Sequence, residues 1–355
     1  MNITIIGGGN VGTLMAAEFA SKGHRVTIYT SGPEKWEKSI SVYSAEEKLL
    51  FSSEIDKITN SFEEAVTGAE CIWITLPAFM FAKTAGDLYP YVKKGQYIGI
   101  VPGSGGAEFA FGRLVDKGCI LFGLQRVHSI ARVREYGRSV YMLGRKPELK
   151  IGSIPSKAAA AVCNLAEELF DMKCIALENY LAVTLTPSNP ILHTARLYTL
   201  FKDYDEGVVY PENILFYEEW DEESSRNLIA CDKELQLLCE RIPLPLSSVQ
   251  SLQEYYESFT AEAMTDKIRG IKAFRGIESP MKHTENGWVP DFDSRYFTAD
   301  FPWGLKIIKE IAELYEVAVP NIDKIWRWYE EHARKDEEMP FELYLDKDGF
   351  VNLYQ

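Results

Sequence analysis

The sequence predicts an α/β domain with a mainly parallel sheet, followed by an all-helical domain, and three observations carry that prediction. Short apolar runs alternate with helical patterns through the first half of the chain, a glycine cluster stands at the first strand-to-helix junction, and beyond Glu178 strand-like runs give way to long helical periodicities. The implied boundary divides the 355 residues into 1–178 and 179–355.

Asn2-Ile3-Thr4-Ile5-Ile6 is a β-rich run, and Gly7-Gly8-Gly9-Asn10-Val11-Gly12 follows at once with the spacing G-x-G-x-x-G. An amphipathic pattern through Leu14, Ala17, Phe19 and Ala20 closes at Lys22-Gly23, and a second strand, Arg25–Tyr29, follows. Strand, loop, helix and strand in this order form the Rossmann-type dinucleotide fingerprint. Gly7 makes the tight turn, Gly9 lets the backbone approach a pyrophosphate, Gly12 packs helix on strand, and the helix N-terminus faces the phosphates. Gly7, Gly9, Asn10, Val11 and Gly12 are therefore the expected cofactor-binding loop. An NAD-specific site usually carries an acid at the end of the second strand, whereas this chain has Thr30-Ser31-Gly32-Pro33. Thr30, Ser31 and Lys35 either hold a 2′-phosphate or cap a helix beginning near Pro33. The expected cofactor is NAD(P)H, with a lean to NADPH.

Glu70–Leu76 forms a buried strand ending at Pro77, and Tyr97–Val101 another ending in Pro102-Gly103-Ser104-Gly105-Gly106. Continuous apolar runs suit a parallel sheet covered on both faces, whose ligands sit at the strand carboxyl ends, so Pro77 and Gly103 are expected to border the cofactor. Strand-like segments recur at 119–124, 139–144, 149–154 and 173–177, with a helix over 156–170. The second half predicts helices over 195–201, 225–241, 252–263, 303–315 and 322–333, with the active site in the cleft between the two domains.

Composition narrows the function. A net charge of −14 argues against a nucleic-acid partner, and no apolar run reaches the roughly 20 residues of a membrane span. With no leader at the N-terminus, a cytoplasmic protein is expected. The six cysteines form no C-x-x-C pair and sit mostly in apolar segments, which fits reduced core thiols; no metal site is expected. Helical second domains often pair, so a homodimer is among the expected assemblies.

Of five histidines, His24, His283 and His332 fall in turns or on a charged helix, and His128 follows a strand from which it could reach substrate. His193 stands in Pro187-Ser188-Asn189-Pro190-Ile191-Leu192-His193, where two prolines fix the entry into the first helix of the second domain. About a hundred residues later comes Ser294-Arg295-Tyr296-Phe297-Thr298-Ala299-Asp300-Phe301-Pro302-Trp303-Gly304-Leu305, with too many aromatics for an ordinary surface loop.

These paired motifs, with the glycine loop and the domain order, resemble the opine dehydrogenases, the octopine/nopaline dehydrogenase family, over essentially the whole chain. The resemblance implies reductive condensation of an α-keto acid with the amino group of an amino acid, using NADH or NADPH. It makes His193 the acid/base, Asp300 its carboxylate partner and Arg295 the group that binds a substrate carboxylate. The chemistry agrees. An imidazole, whose free side chain titrates near pH 6.5, gives or takes a proton at neutral pH, a carboxylate fixes its tautomer, and a guanidinium grips a carboxylate bidentately. Asn189 either caps the helix or reaches substrate, the cap being favoured.

Two other readings compete. Ketopantoate-reductase-like enzymes share the domain order but use a lysine early in the second domain, and no lysine lies between Glu178 and Tyr198. A non-catalytic NAD(P)H sensor would need no His193/Arg295/Asp300 set. Charge is also uneven: residues 113–150 hold 9 Lys+Arg against 3 Asp+Glu, and residues 201–263 hold 4 against 15. The basic stretch, with Arg132 a candidate substrate contact, would raise the potential beside the anionic ligands. The acidic helices would keep the protein soluble or favour a cationic amino donor.

Overall fold

The alternation of apolar runs and helices from Asn2 onward closes into an eight-stranded sheet. The computed structural model describes residues 1–333 and 341–355, which form two units: Met1–Thr184 together with Asn352–Gln355, and Leu185–Val351. In chain order the first unit runs β1 (Asn2–Ile6), α1 (Asn10–Ser21), β2 (Arg25–Tyr29), β3 (Ser39–Tyr43), β4 (Leu49–Glu54), β5 (Lys57–Thr59), α2 (Phe62–Val66), β6 (Cys71–Ile74), α3 (Phe81–Leu88), β7 (Tyr97–Ile100), α4 (Ala107–Asp116), β8 (Ile120–Leu124), β9 (Ser129–Glu135), β10 (Ser139–Arg145), β11 (Glu148–Ile154), α5 (Ala159–Phe170), β12 (Lys173–Ala176) and α6 (Leu181–Thr184). The large sheet has the order β12-β11-β8-β7-β6-β1-β2-β5 and is parallel except where β11 meets β8. Its central strands β6 and β1 are apolar because helices cover both faces; Cys71–Ile74 is buried throughout.

A second sheet, β4-β3-β10-β9, was not expected. β3 alternates buried Ile40 and Val42 with more exposed Ser39, Ser41 and Tyr43, the signature of a sheet with one wet face, and its polar positions hide it from a search for continuous apolar runs. The predicted strand at 139–144 belongs here, not to the main sheet. α1 packs against both sheets, so Gly12 through Phe19 are all buried. That placement buries Glu18, whose carboxylate is met by His128 at 2.7 Å and Arg145 at 2.8 Å. His128 is thus a core residue, fully buried, and does not present itself to a substrate.

The break between units falls after Thr184, six residues beyond the predicted Glu178, because the residues between still pack in the first unit. The Tyr180 hydroxyl donates to Gly103 O at 2.9 Å and Thr184 donates to the buried Glu108 carboxylate at 2.5 Å. Glu108 also accepts from the hydroxyl of Tyr354, so the chain returns to the first unit after completing the second. Burial pushes the Glu108 carboxyl up to about 7.

The second unit comprises α7 (Asn189–Phe201), α8 (Glu222–Arg241), α9 (Leu252–Tyr255), α10 (Ala261–Gly270), β13 (Met281–Thr284), β14 (Gly287–Pro290), α11 (Arg295–Thr298), α12 (Lys306–Leu314) and α13 (Pro320–His332), and α14 (Lys347–Leu353) carries the chain out of it. It is helical, as predicted, with one antiparallel hairpin added. Gly287 turns that hairpin at φ +137°, and a Cβ there would stand 2.6 Å from Tyr210 O. The helix predicted over 252–263 is two helices. Ser251 caps the first in a capping box with Glu254, Glu257 takes φ +52°, and Thr260 caps the second, so each cap starts a separate helix. No helix among the described residues is long and apolar enough to cross a membrane.

Candidate active site

The glycine loop has the geometry a dinucleotide phosphate needs. Gly7 adopts φ +117°, a conformation side chains resist, and its N–H donates to Tyr29 O. A Cβ on Gly12 would stand 2.0 Å from Gly7 O, so α1 starts directly against the turn. The Thr75 hydroxyl donates to the carbonyls of Ile6 and Gly7 and pins the loop from β6. A Cβ on Gly9 meets nothing within 4 Å, so that face is open. No acid occupies the first turn of α1, whose unpaired N–H groups and dipole favour an anion. Asn10 faces inward: its side chain accepts from Val133 N at 2.7 Å and ties the loop to β9. Val11 is half-buried beside it.

Around this loop the expected residues divide. Thr30 is buried, and its hydroxyl shares a 3.0 Å hydrogen bond with the Tyr136 hydroxyl, whereas Ser31 and Lys35 are exposed. The helix expected near Pro33 is a single 3-10 turn, Pro33–Lys35, with no side-chain cap. Trp36 follows it and lies over the loop, and a Cβ on Gly8 would stand 2.4 Å from its ring. Pro77 opens the turn after β6. Gly103 is buried after β7, with Gly123 Cα and Val183 both 2.7 Å from where its Cβ would be, so it serves close packing. Arg132 is exposed on β9 and donates to Ala131 O; among the described residues no carboxylate pairs with it.

In the second unit α7 starts at Asn189, six residues earlier than the predicted 195, because Pro190 in the first turn needs no hydrogen-bond acceptor and fixes φ. Ser188 is the residue before the first turn and Asn189 lies exposed at its start, so Asn189 is not the cap. One turn on, His193 is 8% exposed. Its Nδ1 lies 2.8 Å from Asp300 Oδ2. Asp300 precedes a π-helical turn, Phe301–Leu305, in which Leu305 N donates to Asp300 O. A Cβ on Gly304 would stand 2.9 Å from the Pro190 ring. The glycine therefore lets this turn press on the start of α7 and bring Asp300 to His193, which explains why the two distant motifs need both residues. π-turns of this kind are frequent at functional sites.

Arg295 begins α11 and is exposed, and among the described residues it makes no ion pair. Its neighbour Tyr296 lies over His193, ring centroids 4.7 Å apart, with Phe216 edge-on at 5.5 Å. Tyr217 was not anticipated. Its hydroxyl lies 2.9 Å from His193 Nε2, so both imidazole nitrogens are engaged. It belongs to a stretch between α7 and α8 with no repeating pattern, and nothing in the local sequence marks it. Arg196, one turn after His193, is 1% exposed and donates to Phe216 O at 3.1 Å, Glu219 O at 2.7 Å and Ser224 Oγ at 3.1 Å. Burial lowers its guanidinium to about 10, still charged at neutral pH.

The second unit thus holds a histidine in contact with a carboxylate and an exposed guanidinium on the segment that supplies that carboxylate, and the first unit holds a nucleotide-type glycine loop. Comparison with known proteins agrees. The profile described as NAD/NADP octopine/nopaline dehydrogenase, alpha-helical domain, matches residues 176–333, and that of the coenzyme F420-dependent NADP oxidoreductases matches residues 2–100. Tauropine dehydrogenase of Arabella iricolor is 27% identical, with 94% of this chain and 92% of that protein covered; octopine dehydrogenase of Pecten maximus is also 27% identical, with 95% and 91% covered. A solved octopine dehydrogenase with NADH and L-arginine superposes with a TM-score of 0.82 at 26% identity, covering 93% of this chain and 89% of that one. The helical half of the chain thus matches the NAD/NADP octopine/nopaline dehydrogenase profile, the whole chain is similar to opine dehydrogenases, and its activity is that of an NAD(P)-dependent opine dehydrogenase, condensing an α-keto acid reductively with the amino group of an amino acid.

Proposed function

We propose that His193 is the acid/base of this reaction, Asp300 its orienting partner and Arg295 the cation that grips a substrate carboxylate. The observation that carries the reading is the 2.8 Å contact of Asp300 with His193 Nδ1. A carboxylate there holds the proton on Nδ1, keeps Nε2 as the reactive nitrogen and stabilises the imidazolium. Bound NAD(P)H supplies the hydride that reduces the imine carbon. His193 then supplies the proton that the nitrogen needs, and in the reverse direction it takes one from the water that attacks the imine. The surrounding rings of Phe216 and Tyr296 exclude water and strengthen the charge interactions.

Gly7, Gly9, Val11 and Gly12 would hold the pyrophosphate, with Asn10 bracing the loop and Pro77 and Gly103 shaping its border. Ser31 and Lys35 favour NADPH, because they are exposed where an NAD-specific site carries an acid, whereas Thr30 is held by Tyr136. Equal turnover with NADH and NADPH removes that preference. A cationic amino donor suits the acidic second unit, and the solved relative holds L-arginine. Arg132 and Asn189, both exposed, would add further contacts to the substrate. Buried thiols, whose burial raises Cys71 and Cys231 well above the usual range, suit a reducing compartment such as the cytoplasm.

The test is a pairwise screen of amino acids against pyruvate and 2-oxoglutarate, followed by cofactor absorbance. Oxidation that requires both co-substrates, and that His193→Ala abolishes, supports the reading. Oxidation with the keto acid alone points to a simple keto-acid reductase.

A further inference from the structure

Both nitrogens of the His193 imidazole are occupied, and this constrains the path of the proton. Asp300 takes Nδ1 and Tyr217 Oη takes Nε2, at 2.8 Å and 2.9 Å. An acid/base must exchange its proton through one of these contacts. Asp300 lies on the orienting side, so the exchange runs through the phenol unless the phenol moves away.

The packing opposes such movement. The Tyr217 ring stacks on Phe274 with centroids 4.1 Å apart and planes at 19°, and Phe216 meets its edge at 4.8 Å. Its backbone is anchored on both sides, because Arg196 holds the carbonyls of Phe216 and Glu219 from within the core. Phe216 N also donates to Ile277 O at 2.8 Å. A residue held at its ring and, through the carbonyls of Phe216 and Glu219, on both sides of its backbone does not swing aside for each substrate.

We propose that Tyr217 is a catalytic residue, the hydroxyl through which His193 exchanges its proton with the substrate nitrogen or the attacking water. In the reductive direction the imidazolium Nε2–H passes its proton to Tyr217 Oη as Tyr217 O–H passes its own to the imine nitrogen. The phenol ends as it began, His193 ends neutral, and the two electrons arrive with the hydride. In oxidation the same chain runs backwards, and Tyr217 takes the water proton while giving its own to Nε2. Arg196 acts through Tyr217 and is a positioning residue. The proposal rests on His193 being the acid/base.

The experiment follows single-turnover cofactor oxidation with pyruvate and the amino acid that gives the fastest turnover in the screen, in mixtures of H2O and D2O. A relay moves two protons in one step, so the rate of the unaltered enzyme curves with deuterium fraction; a straight line overturns the proposal. Tyr217→Phe keeps the ring stack and is expected to lose on the order of 10²-fold in kcat with KM for the amino acid little changed. In that variant the nitrogen NMR signal of His193 Nε2 shifts towards that of a free imidazole nitrogen, a change that a merely structural ring would not produce. Retention of kcat within about threefold overturns the relay. If His193→Ala is then inactive, the histidine–aspartate assignment stands without it, and if His193→Ala is also active, that assignment falls too. Should Tyr217→Phe fail to fold, as judged by thermal melting, the isotope curve of the unaltered enzyme decides.

Discussion

The protein contains two histidine–carboxylate pairs of nearly equal length, His193–Asp300 at 2.8 Å in the second unit and His128–Glu18 at 2.7 Å in the first. What separates them is the rest of each environment. Glu18 spends its other oxygen on Arg145, His128 is 0% exposed, and among the described residues its Nδ1 is buried without a partner. His193 has a phenol on its second nitrogen, an aromatic wall and, on the segment that supplies Asp300, an exposed guanidinium. A short imidazole–carboxylate contact therefore does not define an acid/base. The role proposed for His193 rests instead on a second nitrogen with a partner to which it can send its proton.

Substitutions break this comparison in order of effect. His193→Ala is expected to cut kcat/KM on the order of 10³-fold or more while leaving cofactor binding in place, and Asp300→Asn on the order of 10²-fold, because the carbonyl of an amide still accepts from Nδ1–H but does not stabilise the imidazolium. Steady-state kinetics with cofactor titration checks both. The other pair answers in stability. Glu18→Ala leaves Arg145 and His128 facing a void and is expected to cost about 3 kcal/mol by denaturant melting, with kcat of the folded fraction retained. A loss of turnover in folded Glu18→Ala would put the wrong histidine at the centre of the chemistry.

Smaller effects sharpen the contrast. Glu108 carries a folded-state value of about 7 because it is buried, above the usual 4.5. The folded state therefore holds a proton that the unfolded chain releases. The associated stability is full below about pH 4.5 and is lost as pH rises towards and through about 7, by about 3 kcal/mol. Asp232, raised by burial to about 6 while accepting from Leu252 N, adds a similar loss in the second unit from about pH 4 upwards. Melting as a function of pH for Glu108→Gln, flatter across that window than the unaltered protein, checks the assignment. Least of all, Asn189→Ala, at an exposed position that caps nothing, is expected to change stability by under about 0.5 kcal/mol.

The same contrast explains what was legible from the residues. The Gly7–Gly12 loop, β1, α1 and β2 are contiguous, and Gly7 and Gly12 answer local backbone demands, so the fingerprint and its fold stand in a single window. His193, Arg295 and Asp300 were picked out as candidates through a pair of motifs a hundred positions apart, which the structure brings into contact through Pro190 and Gly304 and through His193 and Asp300. Tyr217 and Arg196 were not, because a side chain anchored by backbone carbonyls leaves no spacing to detect. The small sheet escaped for a different reason, since β3 and β4 bury only one face and their serines interrupt the apolar signal. The break within 252–263 was marked by Ser251 and Thr260, two ordinary caps overruled by an apolar periodicity that runs through both helices.

Tyr354 has a consequence for how the protein can be made. Its hydroxyl reaches Glu108, and Ser156 donates to Gln355 O, yet residue 354 leaves the ribosome 170 residues after Thr184. Until then the nascent nucleotide-binding unit carries a buried carboxyl lacking one of its two hydroxyl donors. A gene fragment ending at Thr184 would inherit the same defect. The chain is thus stitched rather than strung: its first unit begins synthesis before the second and is finished after it.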